Sequence, residues 1–195
     1  MIQFFFDTNI WFDYCWARRH RKRFGKGCIP INKINSRKAK IILTDPLIYE
    51  VSSLFKERYL IKYAIDEGIS AFEVRRIKRG FNLKRKDRKE VDKLIENNIY
   101  SLSVSKDQWL IDWLDQNTLN EILRTTSIYD IEFMDCLHIM AALSAGCDVF
   151  VTKDEQLISG FIRASKKRAS FRKLKIMRPK EFMNFYQKTI FKSKS

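Results

Sequence analysis

No stretch of the 195-residue chain approaches the roughly 18 uncharged apolar residues that a membrane helix needs, so no membrane-spanning segment is expected. The opening MIQFFFDTNIWF is apolar, but it lacks a basic leader region and a small-residue cleavage site, and Asp7 interrupts it. That argues against a signal peptide. Cysteine is sparse and scattered. Cys15, Cys28, Cys136 and Cys147 form no C-x-x-C pair and have no histidine spaced as a zinc ligand, so core thiols in a reducing compartment are expected, and with them a cytoplasmic location. Internal repeats and low-complexity tracts are absent.

Acid is the other shortage. Twenty-three acidic residues face 38 basic ones, giving +15, a balance that costs compactness by self-repulsion and points to an anionic partner. Because the excess is clustered, nucleic acid is the expected partner, ahead of a membrane surface or an acidic protein. The apolar fraction of 45% excludes a mainly disordered chain, and the length suits one domain over residues 1–195.

Hydrophobic patterning gives an α/β alternation. IQFFF reads as a buried strand ended by Asp7, and TNIWFDYCW as the start of a helix. From Arg18 to Lys26 the chain is almost wholly basic, an exposed insertion placed near 17–35. KIILT reads as a strand, followed by Asp45 as helix cap, Pro46 in the first turn and a helix that carries Glu50. Two charged helices follow near 70–97, then a strand over IYSLSV and a helix over QWLIDWLDQ. IEFMDCLHIMAALSAG reads as a helix ending at Gly146, DVFVT as a strand, KDEQLISGFI as the next helix and LKIMRP as a last strand. A short helix and a frayed basic tail occupy 180–195. Strand and helix in alternation favour a mostly parallel sheet with helices on both faces.

In such sheets functional groups collect beyond the carboxyl ends of the strands. Asp7 and Asp154 fall there, while Glu50 and Asp135 sit on helices whose apolar neighbours face the sheet. Taken singly, each acid has a plainer explanation: a helix cap for Asp7 and Asp154, a solvated face for Glu50 and Asp135. His138, one turn from Asp135, reads as packing or a local hydrogen bond. Trp11, Trp16, Trp109 and Trp113 read as core or interface residues, with Trp16 beside the basic run the one candidate for stacking on a base.

Taken together, FFFDTN, the acid in LIYEVSSL, and MDCLHIMAALSAGCDVFVTKD resemble the PIN-domain nucleases over nearly the whole chain. The resemblance implies a PIN-like α/β/α sandwich and a Mg²⁺- or Mn²⁺-dependent ribonuclease, often the toxin of a toxin–antitoxin pair. Asp7, Glu50, Asp135 and Asp154 match the metal-binding acids, and Asn9 and Thr152 the polar residues that support them. Arg18, Arg19, Arg21, Lys22 and Arg23 are expected to contact RNA near Asp7. RNA is thus the expected partner, with an antitoxin protein or a second copy of the chain as further candidates. The extra length departs from a minimal PIN toxin. A haloacid-dehalogenase-like phosphatase also begins with a strand ending in Asp, but needs a second Asp where Asn9 stands. A non-catalytic RNA-binding or partner-binding module remains the alternative.

Overall fold

The computed structural model describes residues 1–19, 28, 29, 31–34, 38–78, 80–100 and 115–191. Its centre is a four-stranded sheet of β1 (Ile2–Phe6), β2 (Ala39–Ile42), β3 (Val149–Val151) and β4 (Lys175–Met177) in the order β2-β1-β3-β4. All neighbours are parallel, with Phe5 opposite Ile42 on one side and Phe150 on the other. The expected mostly parallel sheet is therefore entirely parallel.

Strand β1 shows why helices lie on both faces. Successive side chains alternate across a sheet. Phe4 and Phe6 meet Phe182 of helix α8 (Pro179–Tyr186) edge-on, at 5.0 and 5.2 Å between ring centres. Phe6 also meets Trp11 of helix α1 (Thr8–Arg19). On the opposite face Phe5 stacks on Phe150 and approaches His138 of helix α6 (Phe133–Ser144). A run apolar on both sides, FFF, is what a strand buried on both faces requires.

Helix α2 (Asp45–Asp66) is the longest, at 22 residues, and packs Phe55 against Phe12 of α1. Its cap is Thr44, whose hydroxyl accepts from the Leu47 amide, and not Asp45 as the sequence suggests; Pro46 then lies in the first turn, where no amide is needed. The two charged helices appear as α3 (Ala71–Ile77), opened by a Ser70–Glu73 capping box, and α4 (Arg85–Ile95). The strand expected over IYSLSV is not formed at its start: Ile99 and Tyr100 continue α4 in a wide helical turn, Glu96–Tyr100, which buries Ile99. The rest of that segment, with Trp109 and Trp113, lies outside the described residues.

Helix α5 (Gln116–Tyr129) was not foreseen; Asp115 caps it by accepting from the Thr118 amide, and Ile122 is its buried anchor. Helix α7 (Glu155–Lys167) follows β3. Cys15, Cys136 and Cys147 are buried free thiols, and Cys28 is half-buried. Among the described residues no helix is long and apolar enough to cross a membrane.

Candidate acidic site

Strand order places the site. From β1 the chain moves outward to β2, then returns past β1 to β3, so the connections leaving β1 and β3 diverge and open a crevice at their carboxyl ends. Asp7 follows β1, and Thr152, Lys153 and Asp154 follow β3.

Asp7 is only 3% exposed, and its position is held by several bonds. Its amide donates to the Val151 carbonyl at 2.9 Å, extending the β1–β3 ladder by one residue. Its carboxylate accepts from the Thr8 amide (2.7 Å), the Asn9 side-chain amide (2.7 Å) and the Thr152 hydroxyl (2.6 Å). Asn9 also donates to the Thr152 hydroxyl oxygen at 3.1 Å and accepts from the Lys153 amide at 3.3 Å. Asn9 and Thr152 thus both hold the Asp7 carboxylate. Burial raises the Asp7 pKa, opposed by the Thr152 hydrogen bond.

Glu50 reaches the same crevice from α2. Its carboxylate accepts from the Thr8 hydroxyl at 2.5 Å and lies 2.7 Å from His138 Nε2. The contact to His138, with the Thr8 hydroxyl assisting, holds the Glu50 pKa below its usual value despite desolvation. A carboxylate so held can only accept, which assigns the proton to His138 Nε2. His138 is wholly buried, and its Nδ1 has no partner among the described residues. The sequence placed His138 one turn from Asp135 but gave no sign of the bond to Glu50, which lies 88 residues away. Thr8 was missed as well. Its place directly after Asp7, at the start of a helix, was the available signal.

Asp135 is half-buried in the first turn of α6 and makes no hydrogen bond or ion pair among the described residues. Desolvation and the nearby charges of Asp7 and Asp154 push its pKa up to about 7. Asp154 is exposed and caps α7 through one oxygen, which accepts from the Leu157 amide at 2.9 Å. Lys153 pairs with Asp13 beside them.

The structure therefore brings the four predicted acids near one another beyond the ends of β1 and β3: Asp135 feels the charges of Asp7 and Asp154, and Glu50 is bound to Thr8, the neighbour of Asp7. They stop short of a preformed cage; among the described residues no three His, Cys, Asp or Glu side chains converge closely enough to hold a metal ion directly. The donor chemistry is nonetheless all oxygen, and a cation that keeps several waters needs only one or two carboxylates.

Arg18 and Arg19, the two described members of the basic run, are placed elsewhere. They end α1, about 15 Å along the helix from Thr8 by its rise. Arg18 donates to Asn98 at 3.2 Å, and Arg19 pairs with Glu90 at 2.9 Å. Neither borders Asp7, because the helix leaving a strand end carries its own far end back along the sheet. Arg21, Lys22 and Arg23 lie outside the described residues.

Comparison with protein-family models, with curated proteins and with solved structures returned no match in any of the three. What stands is the class: an α/β protein with an all-parallel four-stranded sheet flanked by helices.

Proposed function

We propose that the chain is a divalent-metal-dependent nuclease of PIN-like fold that hydrolyses RNA phosphodiester bonds at the crevice of Asp7, Glu50, Asp135 and Asp154. The observation that carries this reading is the placing of Asp135, a half-buried carboxyl without a hydrogen-bond partner among the described residues, beside Asp7 and Asp154, an arrangement that pushes its pKa up. Acids gathered where they repel one another are stable only if a proton or a cation relieves them. Oxygen donors in this number suit Mg²⁺ or Mn²⁺. When bound, such an ion supplies Lewis-acid stabilisation of the charge that develops on the phosphate.

The residues of the chain divide the remaining work. Thr152, Asn9 and the Thr8 amide fix the Asp7 carboxylate. Thr8 and His138 keep Glu50 ionised and oriented. Asp135, desolvated beside two acids, would be the carboxylate that a bound cation relieves most. The excess of 15 positive charges draws the polyanion to the surface. A toxin role in a two-protein pair is the narrower form of the proposal, tested by growth arrest on induction that Asp135→Asn relieves.

Labelled RNA incubated with Mg²⁺, Mn²⁺ or EDTA tests the reaction. Cleavage should require the divalent ion and fall sharply in Asp135→Asn. Cleavage that survives EDTA overturns the metal mechanism. The second reading, a non-catalytic RNA-binding module, is favoured by the lack of three converging ligands among the described residues. It predicts that Mn²⁺ titration of the purified protein gives no binding.

A further inference from the structure

We propose that α1 and α2 carry a second site, a groove that binds single-stranded RNA apart from the acids; the choice of RNA rests on the nuclease reading, whereas the groove itself does not. Arg58, Ile61, Lys62 and Ile65 follow helical spacing on the exposed side of α2, and with Trp16, Arg19 and Tyr59 they line a cavity of about 400 Å³. Its back wall is built in layers. Phe12 stacks on Trp16 (ring centres 5.8 Å, planes 17° apart). The Arg19 guanidinium lies over Trp16 at 5.3 Å and over Tyr59 at 5.0 Å. Glu90 fixes both outer members, pairing with Arg19 at 2.9 Å and accepting from the Tyr59 hydroxyl at 2.8 Å.

Among the described residues the front of the cavity is cationic. Arg58 lies over Trp16 at 5.3 Å, and neither Arg58 nor Lys62 has a carboxylate partner among the described residues. Ile65 is 74% exposed at its rim. Tyr59 and Lys62 also border a larger cavity, about 730 Å³, which adds Tyr63, Phe81, Arg76 and Lys84 but also the acids Asp66 and Asp87, so the cationic character belongs to the smaller cavity. The smaller cavity thus pairs flat rings and guanidinium planes with two cations, Arg58 and Lys62, that form no ion pair among the described residues. Stacking faces serve bases of any sequence and cations serve phosphates, which is the combination that holds single strands. A duplex hides its base faces, so it uses the cations alone. Because Glu90 orders the wall beforehand, little conformational freedom remains to be lost on binding. Along α2, Lys62 stands about 18 Å from Glu50 by helical rise, so a strand in the groove spans several nucleotides before reaching the acids.

Fluorescence anisotropy of a labelled, unstructured RNA about twelve nucleotides long, measured in EDTA, separates binding from cleavage. The double variant Arg58→Ser/Lys62→Ser changes exposed side chains only. It should weaken binding about tenfold and reduce the slope of log affinity against log salt by about 1.4, from roughly 0.7 per lost phosphate contact. Ile65→Glu, at an exposed position, should weaken binding without touching a cation. Binding in EDTA that responds to these variants supports the groove even if Mn²⁺ elicits no cleavage, a result that would reject the nuclease reading alone. Affinity and slope unchanged in both variants overturn the groove while leaving cleavage to be judged separately. An abasic oligomer bound as tightly as the RNA, or poly-glutamate competing as well as RNA, also overturns it, the latter by identifying an acidic protein as the occupant.

Discussion

Glu50 and Lys62 stand on the same helix, about three turns apart, in opposite circumstances. Glu50 is half-buried and bound by a hydroxyl and an imidazole. Lys62 is exposed and forms no ion pair among the described residues. A charge drawn from water must find hydrogen-bond partners or it costs several kcal/mol, so the acid end of α2 is structurally determined by α1, α6 and the strands. A solvated charge carries no such demand. Changes at the first end should therefore register in folding and chemistry, and changes at the second in ligand binding and little else.

The largest effect should come from the floor beneath the acids. Phe182 is fully buried and holds Phe4 and Phe6 of the strand that presents Asp7. Phe182→Ala should cost about 3–5 kcal/mol of stability, read from urea unfolding. A cost below about 1 kcal/mol would mean that α8 does not cover this face.

Next comes Asp135→Asn, which should lower divalent-dependent cleavage at least about 100-fold, more than is typical for outer-shell partners of a metal site. Its melting temperature without metal should hold or rise, since the substitution removes repulsion and breaks no hydrogen bond. Asp7→Asn is the less clean probe. Its new side-chain amide would face the Asn9 amide and the Thr152 hydroxyl, both of which now donate to it, leaving donors opposed at a cost of about 1–3 kcal/mol. A melting temperature that collapses in Asp135→Asn as well would make the cluster structural.

Legibility in the sequence follows the same divide. Strands β1 and β3 and helix α6 were readable because burial on both faces leaves continuous apolar runs, and Asp7 and Asp154 were readable because each ends such a run. Thr44 was misread as Asp45 because adjacent residues, both good caps, precede Pro46, and only the backbone shows which one accepts from Leu47. The Glu50–His138 bond was illegible, since no local pattern links residues that only the crossover from β2 to β3 brings together. For Arg18 and Arg19, proximity to Asp7 in sequence became separation in space through α1. Helix α5 was missed because its exposed positions include Leu123 and Ile128, which blur its apolar stripe.

A third, smaller effect is pH dependence without metal. Asp7 and Asp135 have folded pKa values raised above the ordinary Asp value of 3.8, Asp135 to about 7. Their contribution is fully present below the unfolded value and is lost as pH rises through the folded one. Glu50, lowered from 4.5, acts oppositely and loses its contribution as pH falls through its folded value. Between pH 5 and 8 Asp135 titrates and Glu50, lowered from 4.5, does not, so stability in EDTA should fall toward pH 8. For half-buried Asp135 the change is on the order of 1–2 kcal/mol after solvent screening. Urea midpoints at both pH values, for the parent and Asp135→Asn, isolate this group from the general charge load. Equal pH slopes in the two proteins would reject the assignment.

The smallest effect tests the far end of α2. Arg19 pairs with Glu90 and lies between two rings, with its side chain 20% exposed. Lys78 pairs with Glu57 at 2.7 Å, but both partners are largely solvated, at 57% and 41%. Side-chain entropy and screening cancel most of a solvated pair, so Lys78→Gln should change stability by less than about 0.5 kcal/mol. Arg19→Gln also loses the ring contacts, each worth about 0.5–1 kcal/mol at such sites, while its shorter stem keeps part of the packing. A net cost of about 1 kcal/mol is expected, with weaker salt dependence than the Lys78 pair because rings are not screened as ions are. A double-mutant cycle of Arg19→Gln with Glu90→Gln separates the ionic part from the stacking part. If Arg19→Gln proves as silent as Lys78→Gln, the layered wall is not held in solution, and the contrast between an ordered groove and a merely charged flank fails with it.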